Sequence, residues 1–338
     1  MTTASLAMTT ISQKPSWIKE LAAYMKPNRA KAIGQLLNTL LPYGALWAVM
    51  IYLVTNNFPY WMTLIAAVLS GLFMVRIFIL FHDCGHGSFF KSKRANTLLG
   101  YLTGILTFAP YEEWRNNHHR HHATSGDLNR RGIGDVWTMT VNEYRKASRW
   151  KRLQYRLFRN PLVMFGLGPF FLFLVSMRLP AKHSTRGGWR SIILTNLGVL
   201  ALMVGLSYAI GFTNYLKIQL PVLYVAGLLG IWLFYVQHQF EDAYWVPSED
   251  WTLLDSALRG SSYYRLPRIM QWFTGNIGLH HIHHLRPGIP NYNLPQCQKD
   301  FPAFQEVTPL TFRKSLRSLG LHLWDEEEKK MVGFGSLK

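Results

Sequence analysis

Apolar residues in this chain are bunched into long uninterrupted runs. Residues 36–54, 62–81, 191–212 and 218–237 make four such runs, each close to the ~20 residues that a helix needs to cross a bilayer. Arg76 is the one basic interruption of the second run, near its end, where a long side chain can reach the headgroups. Two shorter apolar runs follow different rules. Residues 97–110 are too few to cross and are expected to be re-entrant or interfacial. Residues 161–177 are just long enough, but crossing would carry Arg178, Lys182, Arg186 and Arg190 to the far side. Gly166, Gly168 and Pro169 also weaken a straight helix there, so this run is read as lying in the interface. From Thr311 onward, Phe312, Leu316 and Leu319 recur at helical spacing before the charged run 325–330, which predicts a C-terminal amphipathic helix.

Charge orients these elements. Lys14, Lys19, Lys26, Arg29 and Lys31 precede the first run, whereas residues 55–61 carry no charge. Basic residues stay on the cytoplasmic side, so both termini are expected there, with the last two spans joined by a turn near Asn214. The expected fold class is therefore all-α integral membrane: four transmembrane helices in one domain, 1–338, with a cytoplasmic helical cap formed by 82–190 and 238–338. The formal net charge of +18 is accounted for by this bias, and no nucleic-acid partner is expected. The first 35 residues show no removable signal peptide. The two cysteines, Cys84 and Cys297, are far apart, which excludes a disulfide framework or a Cys-rich zinc site.

Most of the 13 histidines fall in three clusters: His82-Asp-Cys-Gly-His86, His118-His119-Arg-His121-His122 and His280-His281-Ile-His283-His284. His238 stands alone at the end of the fourth apolar run. At about 100° per helical residue, positions i, i+3 and i+4 share a face. That selects His82 and His86; His118, His121 and His122; and His280, His283 and His284, while His119 and His281 turn away. With His238 these make nine imidazoles, all placed by the charge argument at one membrane face. Nine ligands exceed the four of a zinc site and suit two ions with positions left open. Imidazole by itself accepts Fe, Zn, Cu or Ni. His183 and His322 are read as ordinary polar residues.

The three boxes HDCGH, HHRHH and HHIHH resemble, in order and in position relative to the spans, those of the membrane fatty-acid desaturase family. The stretches HDCGHGSFF (82–90), RGIGDVWTMT (131–140) and FTGNIGLHHIHHL (273–285), with the tail 323–334, are similar to its bacterial and cyanobacterial acyl-lipid members. The resemblance covers roughly 36–334. It implies two Fe ions held by His82, His86, His118, His121, His122, His238, His280, His283 and His284, and an O2-dependent desaturation of a lipid-linked acyl chain. It also implies an external electron donor, ferredoxin-like or cytochrome b5-like, and a bacterial inner or thylakoid membrane. Some relatives carry an asparagine one turn before the lone histidine; here that position is Phe234, and Asn276, one turn before His280, is the candidate substitute.

Metal-bound histidines commonly pass their second N–H to a carboxylate or carbonyl. Asp83, Asp127, Asp135, Glu241 and Asp242 lie near the boxes and are candidates, and Trp137, Thr138, Trp232 and Tyr235 are candidate walls of an acyl channel. No nucleotide or flavin fingerprint appears, so electrons come from a partner. The basic stretch Arg145, Lys146, Arg149, Lys151, Arg152, Arg156 and Arg159 suits either an acidic carrier or anionic headgroups. Two rival readings are a related di-iron hydroxylase or ketolase and a histidine-rich metal transporter. The transporter is disfavoured because the spans are nearly uncharged at mid-depth.

Overall fold

The structure is a computed structural model that describes residues 15–337; Lys14 of the N-terminal basic group lies outside them. Among the described residues, four helices are long and apolar enough to cross a membrane: α1 (Arg29–Thr55), α2 (Tyr60–Gly85), α8 (Arg186–Ile210) and α9 (Phe212–His238). Between α2 and α8 run α3 (Lys93–Leu106), α4 (Tyr111–Thr124), α5 (Val141–Lys146), α6 (Arg149–Phe158) and α7 (Gly168–Leu174). Beyond α9 come α10 (Leu253–Gly260), α11 (Arg268–Phe273) and α12 (His280–Leu285). Sheet is minor. β1 (Met139–Thr140), β4 (Leu323–Asp325) and β5 (Lys330–Val332) form one sheet, and β2 (Tyr263–Arg265) pairs in parallel with β3 (Pro309–Thr311).

The most hydrophobic helix, α2, is also the most enclosed of the four spans, lying against α1, α3 and α9. Its approach to α9 is close because Gly71 has no side chain: a Cβ there would lie 2.6 Å from Val225 Cγ1. By contrast α8 leaves Ile193, Leu197, Leu200, Val204 and Tyr208 exposed, an apolar surface suited to lipid. The cap ends of α1 and α2 are tied together by the buried bond from Gln35 Nε2 to Asn291 Oδ1 (2.7 Å) and the bond from Asn291 Nδ2 to Asp83 Oδ2 (2.8 Å).

Several local features differ from the sequence expectation. Arg76 does not reach outward: it is 4 % exposed, its Nε donates to Thr39 Oγ1 (3.0 Å) and its guanidinium lies 3.9 Å over the Trp272 ring. Trp272 on α11 brings a carbonyl and an aromatic face to the arginine, so the charge is solvated by protein. The turn between α8 and α9 falls at Gly211, whose φ of +85° suits only glycine, while Asn214 already belongs to α9 and donates to Ile210 O. The C-terminal segment is not one helix. A single turn, Phe312–Ser315, passes into a 3-10 turn, Leu316–Gly320, and then into the β4–β5 hairpin. Asp325 Oδ1 accepts the N–H groups of Glu327 and Glu328, so the acidic run forms the hairpin turn.

Residues 162–178 bend by 58° from α6 and contain a π-helical turn, Leu162–Leu167, as the paired prolines and glycines lead one to expect. α3 has 14 residues, a length of about 21 Å, which is short of a bilayer core.

Candidate metal centre

Each histidine box sits where a helix enters or forms the cap. His82 occupies the last turn of α2, and His86 caps it. α4 carries His118, His121 and His122 and is fixed by its own first turn. Glu112 and Glu113 lie against Gly187 and Gly188 at the start of α8, where a Cβ would clash with their carboxylates at 2.3 and 2.0 Å. A helix N-terminus favours such negative charge. His238 ends α9. α12 follows Gly278, where a Cβ would meet the Tyr264 carbonyl at 2.4 Å, so glycine lets the third box approach β2.

The nine imidazoles converge in two groups. His82, His86, His118, His122 and His283 form one; His121, His238, His280 and His284 form the other. Within each group the candidate ligand atoms lie within 4.8 Å of one another. His119 and His281 belong to neither. His119 is exposed, and His281 is buried with its Nε2 3.0 Å from Gln298 Oε1.

The donor set fits metal. His121 Nδ1 lies 2.6 Å from Asp135 Oδ1, and His238 Nδ1 lies 3.3 Å from the Gly260 carbonyl. Both partners are acceptors, so Nδ1 carries the proton and each Nε2 presents a lone pair. Those two Nε2 atoms are nevertheless 3.1 Å apart, and His238 Nε2 is 3.0 Å from His280 Nε2. In the other group, His118 Nε2 is 3.0 Å from His82 Nε2 and 3.1 Å from His122 Nε2, which is 3.0 Å from His283 Nε2. Facing lone pairs repel, whereas two nitrogens bound at right angles to one ion at about 2.1 Å stand about 3.0 Å apart. His86 Nε2 and His284 Nε2 are buried without a hydrogen-bond partner among the described residues. Burial, followed by the crowding of other imidazoles, holds His118, His122, His280, His283 and His284 well below the usual histidine range. Neutral imidazole is the form that binds metal.

Of the five carboxylates near the boxes, two touch one of the nine grouped histidines. Asp135 holds His121, and Asp83 Oδ1 lies 3.3 Å from His82 Nδ1. Asp83 Oδ2 accepts both the backbone N–H (2.7 Å) and the side-chain amide (2.8 Å) of Asn291. Asp127 instead closes a loop, accepting from Arg130 Nε (2.6 Å), Ser248 Oγ (2.8 Å) and the Asn129 N–H (2.9 Å). Those three bonds use its acceptor sites away from the histidines. Glu241 and Asp242 are exposed. Asn291, Gln35 and the Gly260 carbonyl were not foreseen; they lie 208 positions from Asp83, 256 from Asn291 and 22 from His238, the groups they hold, and no local pattern marks them. Asn276 donates to the Asn291 carbonyl, with a φ of +59° that fixes the turn before α12. Phe234 packs its ring 5.2 Å from His121 and 5.3 Å from His238.

The channel candidates separate as well. Trp232 donates to Tyr264 Oη (3.3 Å) and Tyr235 to the Ser318 carbonyl (2.8 Å), so their polar ends are used in packing α9 to the cap. Trp137 and Thr138 line a cavity of about 580 Å³ on the cap, next to Asp135.

Four helices long and apolar enough to span, two of them, α2 and α9, ending where α4 and α12 bring two sets of imidazoles together, define a membrane-type helix bundle with clusters able to hold metal at one end. The sequence model of the fatty acid desaturase family matches residues 59–314. A fatty acid desaturase of Bacillus subtilis (strain 168) is 45% identical over 330 residues, covering 97% of this chain and 93% of that protein. An sn-1 acyl-lipid omega-3 desaturase (ferredoxin) of Nostoc sp. (strain 36) is 29% identical, covering 90% and 83%. An sn-1 oleoyl-lipid 12-desaturase of Synechocystis sp. is 26% identical, covering 85% and 83%. The chain belongs to the fatty acid desaturase family and is an oxidoreductase of the desaturase type.

Proposed function

We propose that this chain desaturates the acyl chain of a membrane glycerolipid, using two iron ions held by the five- and four-histidine groups. The observation that carries this reading is the pairing of those groups, with facing Nε2 atoms 3.0–3.1 Å apart at the end of α2 and α9. When bound, iron supplies the activation of O2 and the removal of two hydrogens from adjacent carbons, with two electrons delivered from outside the chain. The protein's own residues position and exclude. Asp135 and the Gly260 carbonyl hold the His121 and His238 rings by their Nδ1 protons. Asp83, itself fixed by Asn291, orients His82. Phe234 sets an apolar wall against the four-histidine group and keeps water from that side.

The donor is read as a ferredoxin-like carrier, a reading supported by the name of the Nostoc relative. The basic residues ahead of α1 and the uncharged loop after it support a cytoplasmic cap. Expression in a host lacking the product tests the reading. New unsaturated lipid acyl chains, with two iron ions per purified chain, are expected; a hydroxylated product, or full activity with one ion, overturns it.

A further inference from the structure

The seven basic residues between 145 and 159 are not one surface. Arg159 is 2 % exposed and donates to Gln239 Oε1 (2.9 Å) and the Leu321 carbonyl (2.7 Å). Arg156 donates to Tyr144 Oη (2.6 Å) and stacks 4.5 Å over Phe334, and Arg152 donates to the Ala147 carbonyl (2.9 Å). These three hold the cap together. Arg145, Lys146, Arg149 and Lys151 are exposed and, among the described residues, make no ion pair.

Lys146 and Lys151 flank the 580 Å³ cavity beside Asp135, whose apolar wall includes Trp137 and Met139. Its carboxylates are already engaged: Glu143 pairs with Arg131, and Asp135 accepts from His121 Nδ1 and the Gly132 N–H (3.1 Å). The lining carries three cations, Arg131, Lys146 and Lys151, against the two carboxylates, so one net positive charge and two unpaired ammonium groups face a concave, partly apolar site, which suits a small anion. The neighbouring helix says where the cavity lies. On α6, Trp150, Leu153 and Leu157 are 66, 46 and 51 % exposed. They fall within about 60° of one another around the helix axis, and the chain runs on into Leu162, 82 % exposed. An apolar stripe of that kind flanked by cations is the pattern of a helix lying in the membrane surface. Lys151, about 100° round from Trp150, then stands at headgroup depth.

The geometry points to this cavity as the seat of the phosphate headgroup of an anionic glycerolipid, the lipid whose acyl chain is oxidised. This rests on the acyl-lipid reading above. A concave site of this volume favours a headgroup over the flat face of a protein carrier.

The test uses the iron-loaded full chain in vesicles, with identical acyl chains offered on phosphatidylglycerol or phosphatidylcholine. Lys146→Gln/Lys151→Gln is expected to raise KM for phosphatidylglycerol roughly ten- to thirty-fold, at about five-fold per lost surface cation. The kcat and the iron per chain should hold, and the KM for phosphatidylcholine, whose phosphate is offset by its own trimethylammonium, should rise far less than that for phosphatidylglycerol. Lys146→Arg/Lys151→Arg should retain the preference, and phosphatidylglycerol co-purifying with the wild type should be lost from the glutamine variant. An unchanged KM and unchanged co-purifying lipid overturn the inference. So does a loss seen only with a protein donor and rescued by a small chemical reductant, which would make the lysines a carrier surface. Competition by soluble glycerol phosphate as strong as by the lipid would assign the site to a free phosphate and also overturn it. If the wild type desaturates neither lipid, the functional reading fails instead, and lipid co-purification still judges the cavity.

Discussion

The two histidine groups are built from partly shared parts and held by different means. α4 and α12 contribute to both, but only α2 serves the five-histidine group and only α9 the four-histidine group. The five-histidine group is steadied by Asp83, which Asn291 ties to Gln35 on α1. The four-histidine group is steadied by Asp135 from the loop before β1 and by the Gly260 carbonyl at the end of α10. One group is thus braced by the bundle and the other by cap loops. Two sites a few ångströms apart can be perturbed separately, provided the perturbation acts on these braces and not on α4 or α12.

The largest expected effect breaks that separability. His122→Ala on α4 or His284→Ala on α12 should reduce activity to background. The two rings are stacked at 4.1 Å across the groups, so loss of either removes a ligand and a wall of the other group. Iron per chain and product formed per hour check this. Retention of more than a trace of activity would argue against ligation.

The braces come next. Asp135→Asn and Asp83→Asn should each lower iron affinity or turnover by about 10- to 100-fold, the usual cost of losing a carboxylate behind a metal-bound histidine. The comparison is sharpened by spectroscopy: Asp135→Asn should alter the iron signal of one environment and Asp83→Asn that of the other. Equal changes in both signals would mean that the groups behave as one. Asn291→Ala should follow with a smaller loss. It removes the side-chain amide's hydrogen bond to the buried Asp83 carboxylate and both bonds with Gln35, while the backbone N–H bond to Asp83 stays, and should cost about 1–3 kcal/mol of stability, read as a lower unfolding temperature with partial activity remaining.

The helical period was enough to choose the imidazoles that meet, because the i, i+3, i+4 rule is local and the boxes lie on or cap helices. The four long apolar runs were equally plain, since span length is a property of consecutive residues. What lay across the chain was not legible. Asp127 and Asp135 look alike in sequence, yet one closes a loop with Ser248 and the other holds His121, a difference set by residues more than 100 positions away for Asp127 and by the Gly132–Gly134 turn for Asp135. Arg159 looks like its basic neighbours but is drawn inward by Gln239 Oε1 and by the Leu321 carbonyl just ahead of the C-terminal hairpin. In the tail the three side chains at helical spacing do lie in helical turns, Phe312–Ser315 and Leu316–Gly320, but the chain beyond them becomes the strand β4, because β1 offers it an edge that no local pattern shows.

The smallest effects on turnover are expected at His119 and His281, the two box residues outside both groups, and their effects on stability should differ in kind. His119 is exposed on α4 and its ring lies 5.5 Å from His86 without entering a group. His119→Ala should leave stability within about 0.5 kcal/mol, as for most surface substitutions, and leave iron content intact. His281 is fully buried, bonded to Gln298 and packed 5.7 Å from Phe304. His281→Ala leaves a cavity and an unpaired amide, a loss of about 2–4 kcal/mol. Because α12 contributes histidines to both groups, such a loosening should lower the yield of folded, iron-loaded protein. Turnover per bound iron should nonetheless stay near the wild-type value, since no ligand atom is removed. His281→Gln, which keeps a polar group toward Gln298, should recover part of the yield. A fall in turnover per iron at His281 equal to that at His284 would place His281 among the ligands and collapse the division of the third box by helical face.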